Sequence, residues 1–439
     1  MSKKLSRRDL LKASAIAGVG MTIGLPASVV AGTTTYRVQS RLPRFAVVGV
    51  AGKGASDMAS ANTYGKLVSL CDADVGRLTT ALIQHPECSA FNDYRMMLEK
   101  MDKEIDAVVI STPDHNHAPA AALAMRMGKH VFVQKPLTRT LHEARMLQRI
   151  AKDNRVMSQM GNQGTASTDL RKVAKMLEDK MFGDVKEVHV WTDRASGWWP
   201  QGVGRPDVKP IPRTLNWEMW LGPAPFRVYA DGYHPFAWRG RWDFGSGSLG
   251  DMGCHVINLA FMGLDLRDPT SVQAETSGNN RETYPVWSKV KYEFPERRGR
   301  AALTMYWYDG GKKPDPELTP GITTGGNGSI FVCENATLYT PDTYGSGTVI
   351  VGGGDLPEVE VEESPGHFKE LVDAINDGKR AKSDIVDYSG PLTETVLLGN
   401  LAIWADGEKV EWDSRRTRVR NSDEFNDLIT PTYRDGWKL

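Results

Sequence analysis

Phe45-Ala46-Val47-Val48-Gly49-Val50-Ala51-Gly52-Lys53-Gly54 is an apolar run that passes straight into a glycine-rich turn. The run reads as a strand, and a helix is expected over 55–63. The spacing Gly49-x-Ala51-x-x-Gly54 is the dinucleotide fingerprint with alanine at its second glycine. That position lets the backbone approach a pyrophosphate, so a methyl group there tightens the fit. Gly49, Ala51, Gly52, Lys53 and Gly54 are therefore candidate cofactor-binding residues. A second strand is expected over 67–71 and ends at Asp72, 18 positions past Gly54 (72 − 54). An acid about 20 residues on is placed to hold an adenosine ribose diol. A carboxylate there repels a 2′-phosphate, which favours NAD over NADP. The alternative reading of Asp72 as a helix N-cap is compatible with that role.

The alternation of strand and helix continues outward from this unit. A helix over 93–100 precedes a strand over 105–110, which ends at Ser111-Thr112-Pro113-Asp114-His115-Asn116-His117. A helix over 119–127 follows, with Gly128 as its C-cap. The next strand, 131–133, runs into Gln134-Lys135-Pro136-Leu137, and a helix is expected over 141–152. Pro136 has no N–H to give, so the ladder stops there. Such alternation means a doubly wound parallel sheet, in which ligands bind beyond the carboxyl ends of the strands. Thr112, Pro113, His117, Gln134 and Lys135 then face the cofactor. From its own segment alone, Lys135 reads equally well as a solvated lysine at a strand end.

The length of 439 residues implies two domains. A net charge of +0 gives no electrostatic basis for binding nucleic acid or an anionic membrane. The four cysteines are scattered, without metal-ligand or disulfide-framework spacing, and no metal site is expected. Ser6-Arg7-Arg8-Asp9-Leu10-Leu11-Lys12 is a twin-arginine export pattern, followed by a weakly apolar run and the small-residue site Val29-Val30-Ala31. Glycines and Pro26 interrupt that run, which favours a cleaved signal over a membrane anchor. The expected organisation is a signal peptide over 1–31, a linker over 32–43, a Rossmann domain over 44–158 and an α+β domain over 159–439. The mature protein is expected in the periplasm, or otherwise exported, without stable membrane association.

The second half has a different texture. Strands are expected over 185–191, 272–274, 286–294, 301–307, 329–333 and 336–339, which together suggest a large, mainly antiparallel sheet. Helices are expected over 367–376 and 392–405, and 419–439 is expected to wrap back onto the body. Residues 192–247 are irregular and rich in Trp, Pro, Gly and Arg. After them comes Gly245-Ser246-Gly247-Ser248-Leu249-Gly250-Asp251-Met252-Gly253-Cys254-His255. A helix from about 249 puts Asp251 and His255 at i and i+4, on one face. The pair reads either as a carboxylate orienting an imidazole or as an intrahelical pair beneath a core.

A glycine turn, a Thr-Pro-x-x-x-His turn, a Lys-Pro strand end and an Asp-x-x-x-His helix, in that order, resemble the Gfo/Idh/MocA oxidoreductase family. The resemblance runs from Phe45 onward. It implies that Lys135, Asp251 and His255 are the catalytic residues, where a sugar or cyclitol hydroxyl meets a nicotinamide. His255 is the expected base, Asp251 its orienting partner and Lys135 the group that holds the reacting oxygen. Ala51 and Gln134 depart from the family pattern, the latter replacing a glutamate. The expected substrate is a small carbohydrate, met by aromatic faces and hydroxyl-binding groups: Asn162, Gln163, Trp199, Tyr233, His234, Trp238 and Arg239. Export implies tightly held NAD. The implied activities are a sugar or cyclitol dehydrogenase or a redox-neutral glycosidase that oxidises, eliminates, hydrates and reduces. A non-catalytic sugar-binding relative is the remaining alternative. By analogy with the family, a homo-oligomer is expected.

Overall fold

The computed structural model describes residues 42–195 and 197–439. The expected signal peptide, and all of the linker but its last two residues, lie outside this range. The apolar run becomes β1 (Arg44–Val48), followed by α1 (Lys53–Tyr64), β2 (Lys66–Cys71), α2 (Val75–Gln84), β3 (Ser89–Phe91), α3 (Tyr94–Lys100), β4 (Ala107–Ile110), α4 (His117–Arg126), β5 (His130–Val133), α5 (Leu141–Asn154) and β6 (Ser158–Met160). The six strands form one sheet in the order β3-β2-β1-β4-β5-β6, every neighbouring pair parallel. Helices cover both faces, which is why β1 and β4 carry almost no polar residue: Phe45 to Val48 and Ala107 to Ile110 are all buried. The strand order reverses between β1 and β4, so the crevice opens between their carboxyl ends.

Local chemistry sets the element ends. Asp74 accepts from the Gly76 amide and starts α2. Thr140 and Glu143 make a reciprocal capping box that starts α5. α2, β3 and β6 were not among the expected elements. The two strands are three residues each, too short for a periodic signal.

The second sheet has nine strands in the order β13-β12-β11-β7-β10-β9-β8-β14-β15. These are β7 (Val185–Thr192), β8 (Ser271–Thr276), β9 (Ser288–Phe294), β10 (Leu303–Tyr308), β11 (Asn327–Cys333), β12 (Thr337–Thr340), β13 (Val349–Ile350), β14 (Val410–Asp413) and β15 (Arg418–Val419). Only β7 and β10 pair in parallel; the other neighbours are antiparallel. Against the sheet pack α7 (Gly247–Val256) and α9 (Gly390–Ala405), while α6 (Thr168–Glu178) and α8 (Asn258–Leu264) pack on each other, with α8 also against α7. Every residue of α7 is buried, and nearly every residue of α9. Burial all round holds both helices in place, and it fixes α7 with its Asp251 and His255. Near the end of the chain, Trp437 is buried against the body. Among the described residues, no helix is long and apolar enough to cross a membrane.

Candidate active site

The carboxyl ends of β1, β2, β4 and β5 open into a cleft of about 550 Å³ whose far wall is α7 and the segment 219–239. On the sheet side, Gly49 and Gly54 leave the backbone bare for a structural reason. Gly49 has φ 87°, and a Cβ on it would lie 2.5 Å from the Ser111 carbonyl oxygen. A Cβ on Gly54 would lie 2.0 Å from the Gly49 carbonyl oxygen. The turn therefore packs backbone on backbone and delivers the chain to α1. That helix has no side-chain cap and no acidic residue in its first turn. The Gly54 and Ala55 amides turn back onto the Ala51 and Gly52 carbonyl oxygens at 3.1 and 3.2 Å, and the helix dipole favours negative charge at this end.

Asp72 ends β2 and lines the same cleft. Its two carboxylate oxygens accept the amides of Val50 at 3.0 Å and Asp74 at 2.9 Å. Burial pushes its carboxyl up and the two amide bonds oppose that. Lone pairs remain on both oxygens for a pair of hydroxyls. Bare turn, uncapped helix and anchored acid together fit a dinucleotide. Thr112 and Pro113 line the cleft. His117 does too, and its ring lies 2.8 Å from both the Pro136 and the Thr112 carbonyl oxygens, bracing the two turns against each other.

Lys135 crosses the cleft to α7. Its Nζ donates to Asp251 Oδ1 at 2.8 Å and to the Asp251 carbonyl oxygen at 2.7 Å. Arg239 stands 3.2 Å and Arg194 3.4 Å from the same carboxylate. Burial would raise the Asp251 carboxyl, but Lys135 and Arg239 outweigh it and hold it below the usual carboxylate range. His255, one turn on, lines the cleft, and its Nδ1 has no hydrogen-bond partner. Burial and the Lys135 charge push its imidazole down to about 3, so it is neutral at neutral pH. The expected orienting bond from Asp251 to His255 is absent among the described residues. The i,i+4 spacing put both on one face, but Lys135 and the two arginines take the carboxylate.

Gln134 is accounted for by a residue the sequence reading missed. It is buried at the end of β5, and its Nε2 donates to Asp57 Oδ2 at 2.8 Å. Asp57, on α1 and 2% exposed, also accepts from Ser111 Oγ at 2.8 Å and pairs with Lys53 at 2.7 Å. A carboxylate thus stands beneath this strand end on α1 rather than on β5. A second one at position 134 would face the first. The i,i+4 spacing of Lys53 and Asp57 was the only sequence signal for this cluster.

The other expected contacts divide. Gln163, His234, Trp238 and Arg239 line the cleft. His234 sits toward the Asp72 end, 3.2 Å from Asp74 Oδ2. Trp199 packs behind, its ring 5.8 Å from the Arg239 guanidinium, with its indole N–H on Gln201. Tyr233 and Asn162 do not reach the cleft. Tyr233 is packed between Trp217 and Phe244, and Asn162 bonds Thr165, Asn258 and Ser383 in the core. Their polar ends serve buried networks, which the sequence does not distinguish from a ligand role. Trp220, Phe236 and Trp437 line the cleft without having been expected to. Among the described residues, no cluster of His, Cys, Asp and Glu is arranged to hold a metal ion.

Comparison with known proteins agrees with this architecture. Residues 43–162 match the model of an oxidoreductase family's NAD-binding Rossmann fold, and residues 166–313 match that family's C-terminal alpha/beta domain. A levoglucosan dehydrogenase from Pseudarthrobacter phenanthrenivorans is 26% identical over 170 residues, 38% of this chain and 35% of that protein. A glycosyl hydrolase family 109 protein from Saccharopolyspora erythraea is 30% identical over 208 residues, 42% of this chain and 45% of that protein. The chain thus spans less than half the length of these curated relatives. The fold is shared with the WlbA dehydrogenase of Bordetella pertussis, solved with NADH and UDP-GlcNAcA, at TM-score 0.61 and 16% identity over 85% of this chain and 99% of that one.

Proposed function

This chain belongs to the Gfo/Idh/MocA oxidoreductase family, and we propose that it oxidises a secondary hydroxyl of a sugar, glycoside or cyclitol with a tightly held NAD. The observation that carries the reading is the Lys135–Asp251 pair, set in a cleft that also holds the bare glycine turn and Asp72. NAD held at the glycine turn and Asp72 would supply the hydride acceptor.

The chain's own residues do the rest. An ammonium has three donors, and Asp251 engages two of those on Lys135. The third is free for the reacting oxygen, where it stabilises developing negative charge. Asp251 acts as the anchor that holds Lys135 across the cleft. His255 lines the same cleft with its Nδ1 unpartnered, which places it to take the hydroxyl proton. Trp238 and Phe236 offer faces for ring C–H surfaces, while Arg239 and Gln163 meet hydroxyls. The twin-arginine segment supports export to the periplasm, and a folded exported enzyme needs a cofactor that stays bound.

Denaturing the purified protein and identifying the released nucleotide tests the cofactor assignment. NAD is the expected product, and its absence, with no binding on addition, refutes the assignment. The 30% identity to a glycosyl hydrolase family 109 protein favours a second reading, redox-neutral glycoside hydrolysis. Aryl-glycoside cleavage without net NADH formation would select that reading over the dehydrogenase.

A further inference from the structure

We infer that residues 430–439 form a strap across the adenosine end of the cleft, with Trp437 as the wall for the adenine; this rests on the dinucleotide reading above. The strap is anchored on both sides of the crevice. Tyr433 Oη donates to Glu143 Oε1 on α5 at 2.6 Å. The Arg434 guanidinium donates to the Gly222 carbonyl oxygen at 2.9 Å, and the Arg434 amide to that of Pro223 at 3.1 Å. Glu218 pairs with the same guanidinium at 2.5 Å. The chain then turns, the Trp437 amide bonding back to the Arg434 carbonyl oxygen at 3.1 Å.

That turn sets Trp437 into the cleft. Its ring lies 6.2 Å from that of Tyr94 at the start of α3, and the Arg95 guanidinium covers it at 4.3 Å. The link to the ribose acid is short. The Asn92 amide donates to the Asp72 carbonyl oxygen at 2.9 Å, and Asn92, Asp93 and Tyr94 all line the cleft beside Asp72. Trp437 therefore closes the end of the cleft that lies past the ribose site. A large aromatic face held rigid by a cation and a neighbouring ring is suited to a flat base. Its cost is paid in the fold, since four anchors order the segment before any ligand arrives. A strap of this kind slows cofactor loss.

The test is titration of the full chain with NAD, AMP and nicotinamide mononucleotide. For Trp437→Ala, affinity for NAD and AMP should fall roughly 5- to 150-fold, the range that stacking of a base on an aromatic ring supports. Affinity for nicotinamide mononucleotide should not change, and Trp437→Phe should recover most of the loss. Arg434→Ala, which lies outside the cleft, should speed NAD dissociation even if Trp437→Ala does not fold. Unchanged AMP affinity in Trp437→Ala, or an equal loss for both half-cofactors, overturns the strap. Wild-type protein that binds neither NAD nor AMP overturns the dinucleotide reading, and the strap with it.

Discussion

Gln134→Glu changes one atom for another in a buried contact, and its effect follows from the neighbours. Gln134 Nε2 donates to Asp57 Oδ2 at 2.8 Å, and Asp57 is 2% exposed. A glutamate there faces a carboxylate instead of serving it. Two ionised carboxylates relaxed to roughly 4 Å repel by about 4 kcal/mol at an effective dielectric of 20. The other outcome is a proton kept on the pair. With an unfolded-state pKa of about 4.3, holding that proton at pH 7 costs about 3.7 kcal/mol. Lys53 and Ser111 soften either penalty, so the variant should lose about 2 to 4 kcal/mol at pH 7. The sign with pH is set by linkage. Below about pH 4 the glutamate is protonated folded and unfolded, and no penalty remains. As pH rises, the unfolded chain releases the proton and the folded chain keeps it. Stability relative to wild type then falls by about 1.4 kcal/mol per pH unit until the folded group also ionises. Urea unfolding of wild type and variant at pH 4.5 and pH 7.5 reads this directly. Asp57→Asn added to the variant should restore most of the loss, because a lone carboxylate then faces an amide. A Gln134→Glu protein within about 0.5 kcal/mol of wild type at both pH values would refute the reasoning, since that is the scatter of an ordinary surface substitution.

Three further outcomes are expected. Lys135→Ala should lower kcat roughly 100- to 10,000-fold, in the range of lost acid–base and charge-stabilising groups, while NAD binding by titration stays within a few-fold. His255→Asn should lower kcat in the same range. It should also make the fold less acid-labile: the wild-type imidazole, pushed down to about 3, stays neutral in the folded state while the unfolded chain protonates below about pH 6.5. Wild-type stability thus drops relative to the variant as pH falls from about 6.5 toward 3, visible in urea midpoints at pH 7 and pH 5. Gly54→Ala should abolish NAD binding and lower the unfolding midpoint, because its Cβ would sit 2.0 Å from the Gly49 carbonyl oxygen.

Much of the first domain is legible because one feature repeats. β1, β4 and β5 are buried on both faces and end abruptly in glycine or polar residues, so strand, carboxyl end and ligand side can all be read in sequence. β3 is largely exposed and three residues long, so neither burial nor periodicity marks it. The site was legible in its members and less so in its bonds. Helical spacing brought Asp251 and His255 to one face, but a residue 116 positions earlier takes the carboxylate. Asn162 and Tyr233 look like sugar-binding groups and are spent on core networks, because a hydrogen-bonding side chain carries no sign of whether its partner is protein or ligand. Asp57 and Trp437 were invisible for the same long-range reason. Asp57 becomes meaningful only beside Gln134, 77 positions on, and Trp437 only beside Tyr94.

The most direct test of hydride transfer in this cleft is a single turnover with a panel of ring-deuterated sugars, glycosides and cyclitols, followed by denaturation and mass spectrometry of the released cofactor. Deuterium-bearing NADH from the wild-type protein, and none from Lys135→Ala loaded with the same amount of NAD, is the predicted result. NAD that stays bound and unlabelled across the whole panel, or equal labelling in the two proteins, would contradict it.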